Sequence, residues 1–252
     1  MLWHLLDRNG GSLPDDTHVV FANTGREHPD TLAFVARCSL FWGVPITWVE
    51  YDGREGARDF REVTYETAAK DGEPFAELIQ RKFALPNVTR RFCTEVLKVD
   101  RIRAFMRAKG FEQWTDYVGL RADEPRRVSK RRAVSDDEVS YALPLDDAGV
   151  TVDDVRAFWQ AQSFDLEIPS TAGNCDLCFE KGPGILRQEI ARDPSAAAWW
   201  IEQERRSGRR FARDFSYAEL RDSALVPVDQ LTGRARALAT ADAGTPPCAC
   251  TD

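Results

Sequence analysis

Apolar and polar positions along this chain alternate between two rhythms. His18–Asn23 (HVVFAN) is a short β-branched run ending in a turn, and predicts a buried strand. Pro29 stands at a first helical position, and Thr31–Trp42 (TLAFVARCSLFW) continues as an apolar helix. Beyond the Gly43–Pro45 break, Ile46–Tyr51 (ITWVEY) predicts a second strand. Pro74–Phe83 and Val99–Lys109 predict helices, and Trp114–Leu120 (WTDYVGL) a third core strand. Strands alternating with helices of this length imply an α/β fold, a parallel sheet covered by helices.

The pattern changes after Leu120. Arg121–Glu138 (RADEPRRVSKRRAVSDDE) is charged and poor in apolar residues, which predicts a loop or a small protruding hairpin. Val139–Leu145 restores a strand pattern, and Thr151 opens a helix with Asp154 in the capping-box position. Asp193-Pro194 starts a further helix, Ser195–Arg206, with Trp199, Trp200 and Ile201 on its apolar side. From about Thr240 the chain is small and polar with Pro246-Pro247, which predicts a mobile tail. These changes divide the chain into an α/β part (1–145), a helical region (146–239) and the tail (240–252).

Composition narrows the classes. A chain of 252 residues, 43% hydrophobic and 30% charged, has enough sequence for a sizeable core. A net charge of -7 argues against non-specific nucleic-acid binding over the whole surface. No apolar run approaches a membrane span, and MLWHLLDRNGG lacks the basic start and cleavage site of a signal peptide. The expectation is a cytoplasmic protein with no membrane partner, whose six cysteines serve metal or catalysis more than disulfides.

Cys175 and Cys178 lie in a glycine-flanked C-x-x-C (GNCDLCFEKG), a spacing open to a redox dithiol, half a zinc site or cluster ligation. A thioredoxin-type dithiol should open a helix after the first strand, and this pair sits far down the chain between helices. A zinc ribbon needs a second close pair, for which only Cys248-Ala249-Cys250 in the tail is available. Cys93 (RRFCT) precedes a helix among basic residues, while Cys38 sits mid-helix among Val35 and Leu40 and reads as core. Three ordinary buried cysteines are the plain alternative to a shared site. Elsewhere, the strand ending at Asn23-Thr24-Gly25 feeds a helix, a place where α/β proteins bind nucleotides, with Arg26 available for phosphate. His28 before Pro29 reads as a helix cap. Gly119-Leu120-Arg121, leaving the third strand, puts arginines where they can close on an anion, and Arg126–Arg132 forms a basic island. Asp136, Asp137 and Glu138 nearly balance that island, so a solvated loop is the plain reading.

Taken in order, FANTGREHPDTLAF, FCTEVLKVDRIRAFM, VGLRADEPRRV and GNCDLCFEKG resemble the phosphoadenosine phosphosulfate (PAPS) reductase family, within the PP-loop adenine-nucleotide α-hydrolase-like group. The resemblance runs from about Val19 to the Trp199-Trp200 helix. It implies a doubly wound parallel sheet binding an adenine nucleotide (ATP or PAPS) at the ends of its strands. Asn23, Thr24 and Gly25 then contact the nucleotide, and Gly119, Arg121 and Arg127 close on phosphate or sulfate. Lys98 resembles the lysine that follows the cluster cysteines of sulfonucleotide reductases. Cys93, Cys175 and Cys178 correspond to three ligands of a 4Fe-4S cluster, Phe92 standing where a fourth cysteine would be.

Two departures from the family stand out. The Ser-Gly-Gly-x-Asp-Ser phosphate loop is missing, since Gly10-Gly11-Ser12 precedes the strand HVVFAN and follows a helix end, Leu2–Asp7. On this reading the first strand and its phosphate loop lie upstream of Met1 or have been lost. The tail ends in Cys248-Ala249-Cys250, in place of the family's Glu-Cys-Gly, and offers a nucleophile, a sulfur relay or a fourth cluster ligand. The functions implied are adenine-nucleotide-dependent sulfur transfer to an anionic acceptor, nucleic acid among the candidates, or reduction of a sulfonucleotide with a thioredoxin-like reductant. In transfer, a sulfur donor supplies the atom and adenylation activates the acceptor. A non-catalytic nucleotide- or cluster-binding module is the third reading.

Overall fold

The β-branched run forms strand β1, Val19–Asn23, which pairs in parallel with β2, Ile46–Tyr51, in a computed structural model that describes residues 1–54, 59–169, 173 and 175–241. A parallel pair needs a crossover, and helix α2, Pro29–Trp42, supplies it. Pro29 opens α2, His28 caps it by accepting the Asp30 amide, and Gly43 ends it in the left-handed region. Leu32 of α2 is buried against Trp48 of β2, and Cys38 is buried as expected for core. A preceding helix, α1, spans Leu2–Arg8.

Strand β3, Phe60–Val63, pairs antiparallel with β2, joining Tyr51 to Phe60 and Trp48 to Val63. The connection from Tyr51 to Phe60 is too short for a parallel crossover of a dozen or so residues, so the chain turns back on itself. Helix α3, Glu73–Lys82, follows. One helical run then covers α4 (Phe92–Thr94), a π-helical turn (Glu95–Val99) and α5 (Asp100–Ala108). Phe105 and Met106 of α5 are buried against Ala22, Val49 and Phe60, and Trp114 packs against the same cluster.

Trp114 opens strand β4, Trp114–Tyr117, which pairs in parallel with β5, Val139–Ala142. Among the described residues the strands form two sheets, ordered β1-β2-β3 and β4-β5, and not one continuous sheet. The architecture is mixed α/β, with α5 packed on the first sheet and touched by Trp114 at the start of the second.

The charged segment after Leu120 is neither loop nor hairpin throughout: Pro125–Arg132 is helix α6. Pro125 starts it, Lys130, Arg131 and Arg132 suit its C-terminal dipole, and Val128 is buried with Leu120 and Leu143. The strand predicted over Val139–Leu145 stops at Ala142, because Pro144 begins the short helix α7, Pro144–Asp147.

The remaining helices are α8 (Val152–Gln160), α9 (Pro183–Arg192), α10 (Ala197–Ser207), α11 (Tyr217–Ala224) and α12 (Gly233–Thr240). The Thr151–Asp154 capping box is present at α8. The helix read from Ser195 begins as a 3-10 turn, Pro194–Ala196, before α10. The largest core cluster draws Phe75 and Leu78 from α3, Leu97 from the π-turn, and Trp200, Phe211 and Tyr217 from the C-terminal helical region. No described helix is long and apolar enough to cross a membrane.

Candidate functional site around the cysteine loop

The turn after β1 is built from buried polar side chains. Asn23 Nδ2 donates to Glu50 Oε1 at 2.7 Å and to the Ala69 carbonyl at 2.8 Å, while its Oδ1 accepts the Gly25 amide at 3.0 Å. Glu50 also accepts the Ala69 amide at 2.6 Å and Arg61 Nε at 2.9 Å. Thr24 donates its amide (2.9 Å) and its hydroxyl (2.8 Å) to the Glu27 carboxylate. Gly25 has φ 81, and a Cβ there would stand 3.0 Å from Pro74 Cδ and 3.1 Å from Gly72 Cα. Asn23 and Thr24 thus spend their side chains on shaping the turn, being 0% and 2% exposed. What the turn offers a ligand is backbone.

The cysteine loop docks on this turn. Cys175 forms an isolated antiparallel bridge with Glu27, and the Asp176 amide donates to the Arg26 carbonyl at 2.9 Å. The Asp176 carboxylate pairs with the Arg26 guanidinium and accepts Trp200 Nε1 at 3.1 Å. Lys181, only 3% exposed, donates Nζ to the carbonyls of Cys175 (2.9 Å) and Asp176 (2.6 Å). Tyr217 Oη donates to the Leu177 carbonyl at 2.6 Å, and Arg91 pairs with Glu180 at 3.1 Å.

Cys93 lies on α4, packed against the main core cluster, and Lys98 lies in the π-helical turn that follows it. Such turns are rare and recur at functional sites. Lys98 Nζ stands 3.7 Å from Glu27 Oε1. Burial works against the charge of Lys98, but Cys175, Glu27 and the other two thiols outweigh it and hold its pKa above the usual lysine value. Burial pushes each of the three thiols up to about 12, with Cys175 adding to the effect on Cys93, and Cys93 to that on Cys178. Lys98 and Lys181 oppose the rise at Cys175 and Cys178 respectively. Cys93, Cys175 and Cys178 therefore lie within electrostatic reach of one another, although 82 residues separate Cys93 from Cys175 in sequence.

This arrangement sets what the site can do. Without metal the thiols stay protonated near neutral pH and are weak nucleophiles. A thiophilic metal must displace their protons, so its binding is coupled to proton release. Three thiols and two lysine cations are the donor types that a sulfur-ligated group calls for, but this structure does not bring the thiols together around one metal position. Among the described residues no three His, Cys, Asp or Glu side chains are grouped so as to hold a metal ion.

The other sequence-predicted residues fare differently. Gly119 lies beside the chain start, where a Cβ would meet Met1 Cβ at 3.4 Å. Arg121 pairs with Asp123 at 2.9 Å and Glu124 at 3.3 Å, and Arg127 pairs with Glu124. His28 acts as a helix cap. Cys248 and Cys250, with the predicted mobile tail beyond Ala241, lie outside the described residues. Sequence reading missed Glu27, Asp176, Lys181 and Trp200 as parts of the site. The signal available was an aspartate between two cysteines and a lysine just beyond them, in a turn otherwise apolar enough to be buried.

No protein-family model matches the chain, and no solved structure matches it. Among curated proteins it is similar to the uncharacterized nin region protein ORF290 of Escherichia phage lambda, with 32% identity over 173 residues. That match covers 66% of this chain and spans 57% of the relative's length.

Proposed function

We propose that this chain is a PAPS reductase-like iron–sulfur enzyme that transfers sulfur to an anionic acceptor in an adenine-nucleotide-dependent reaction. The observation that carries the reading is that Cys93, Cys175, Cys178 and Lys98 lie within electrostatic reach of one another near the end of β1, although the thiols are not grouped around a metal position in this structure. A 4Fe-4S cluster on these three thiolates would leave one iron without a cysteine from the described residues, and when bound it would supply sulfur or electrons to the acceptor. Lys98 holds positive charge at the thiols, and Lys181 fixes the carbonyls between them. In this reading the parallel pairs β1-β2 and β4-β5, although separate sheets here, are parts of a doubly wound arrangement that takes the nucleotide at the strand ends. Arg121 and Arg127, leaving β4, serve its phosphates.

A second reading is favoured by the turn itself: Asn23 and Thr24 are internally bonded, which suits a cluster-binding module that does not process a nucleotide. Anaerobic reconstitution with iron and sulfide decides first. The enzyme reading expects a brown protein with about four irons per chain, falling sharply in Cys93→Ala. A colourless protein, or unchanged iron in Cys93→Ala, overturns it. Acceptor-dependent pyrophosphate release from ATP then selects sulfur transfer. Sulfite release from PAPS with thioredoxin selects reduction, and neither activity in the loaded protein selects the module.

A further inference from the structure

Besides Lys181 within it, the cysteine loop is tethered from several distant parts of the fold. Arg26 reaches it from the turn after β1, Arg91 from the segment before α4, Trp200 from α10 and Tyr217 from α11. Two of them, Arg26 and Trp200, converge on Asp176. Its amide and carboxylate both engage Arg26, and the same carboxylate accepts the Trp200 indole and the Leu177 amide. Arg26 is held through its terminal nitrogen, while its Nε is buried without a hydrogen-bond partner among the described residues. Its guanidinium lies 5.2 Å from the Trp199 ring centroid, and the Arg26 and Asp176 side chains are 11% and 16% exposed.

Gly72 makes room for this arrangement. It is in the left-handed region at φ 85, and a Cβ there would fall 2.5 Å from Trp199 Nε1 and 2.7 Å from Arg26 Cδ. An arginine boxed by glycine, stacked on one tryptophan and paired with a carboxylate bonded to the next is poorly placed to follow a mobile phosphate. Its charge is paired with Asp176, and the unpartnered Nε is enclosed in the fold.

From this we infer that Asp176 is the positioning residue of the thiol site, holding Cys175 and Cys178 in register through Arg26 and Trp200. Arg26 accordingly serves the cysteine loop and is not a phosphate ligand. The inference rests on reading the three thiols as one mount, but the loop's conformation is measurable without any metal. Between the two cysteines stand only Asp176 and Leu177, so the backbone orientation that aims both sulfurs is set by whatever fixes those two residues. Removing the carboxylate leaves Arg26 uncompensated in a buried setting and frees one indole donor, which favours opening of the loop over its closed form.

The test compares the full-length chain with Asp176→Ala, Asp176→Asn, Arg26→Lys and Arg26→Gln. Metal-free, reduced protein is labelled with a maleimide and the sites are timed by mass spectrometry, with buried Cys38 on α2 as internal standard. Asp176→Ala and Arg26→Gln should raise labelling of Cys175 and Cys178 at least about tenfold with Cys38 unchanged, and Arg26→Lys should restore part of the protection. If Cys38 labels faster too, the alanine variant has loosened globally, and Asp176→Asn and Arg26→Lys carry the comparison. Wild-type labelling rates in Asp176→Ala, or in Arg26→Gln, overturn the positioning role. After reconstitution with iron and sulfide, Asp176→Asn should lose iron to a chelator about tenfold faster, with an altered electron paramagnetic resonance spectrum. An unchanged spectrum and release rate count against the inference. Exposed thiols in the variants alongside a wild type that takes up no iron would keep the inference and remove the cluster reading. ATP binding measured by calorimetry checks Arg26 directly: Arg26→Gln should match wild type, and a tenfold loss of affinity with unchanged labelling would return Arg26 to phosphate.

Discussion

After β1, Arg26 reaches a carboxylate 150 residues away in sequence; after β4, Arg121 pairs among the described residues with its near neighbours Asp123 and Glu124. Both turns leave a parallel strand and both carry the glycine and arginine expected of an anion-binding edge. Their electrostatics are nonetheless opposite in kind. Around Asn23–Glu27 the polar groups are buried and bonded across the fold, to Glu50, Ala69, Asp176 and Lys98. Around Arg121 the ion pairs join neighbours two or three residues apart and are partly exposed. Long-range buried pairs specify a shape, whereas local exposed pairs contribute little stability and exchange partners readily. The first turn is therefore suited to holding the cysteine loop, and the second to meeting a ligand that comes and goes.

The comparison can be broken by substitution. The largest effect should come from Trp200→Ala, which empties a fully buried ring position beside Asp176 and should cost about 3–5 kcal/mol in urea unfolding. Glu50→Gln comes next, since it keeps an acceptor for Asn23 but weakens the pair with Arg61, and should cost about 1–3 kcal/mol by the same measurement. On the other turn, Arg121→Gln should move the melting temperature by no more than about 2 °C, while weakening nucleotide binding in calorimetry. A larger loss of stability there would erase the contrast between the two turns.

The smallest effect is a titration. A hydrogen bond from Arg121 holds Asp123 below the ordinary carboxylate pKa of 3.8. Its contribution to stability is therefore present above that pKa and is lost as pH falls through the lower folded value. In Arg121→Gln the Asp123 carboxyl should titrate close to its ordinary value by NMR, and an unmoved titration would show that Arg121 is not its partner in solution.

Much of the frame was legible because it depends on local pattern. The β1 and β2 runs, the proline and glycine bounding α2 and the capping box at Thr151 each encode their own geometry. Strand β3 was not legible, since four residues (FREV) carry too little alternation to register and only pairing with β2 makes them a strand. Helix α6 was hidden by its charge, its apolar contribution being Val128 alone. At the site, the cysteines and Lys98 were named by spacing and motif order. Asp176, Glu27 and Trp200 act through contacts between distant segments, which a linear reading does not contain.

The π-helical turn at Glu95–Val99 has a consequence for how such a chain tolerates insertion and deletion. A π-turn carries about one residue more than an α-turn, and each helical residue turns the chain by about 100°. Deleting a single codon there would let Phe92–Ala108 close into an unbroken α-helix, with Phe105 and Met106 still seated on the strands. Cys93 would swing roughly a quarter-turn away from Cys175. A frame-preserving loss of one residue can thus leave a folded protein whose Cys93 is turned away from the cysteine loop, and in a diverging lineage the length of this short segment is more telling than its identity.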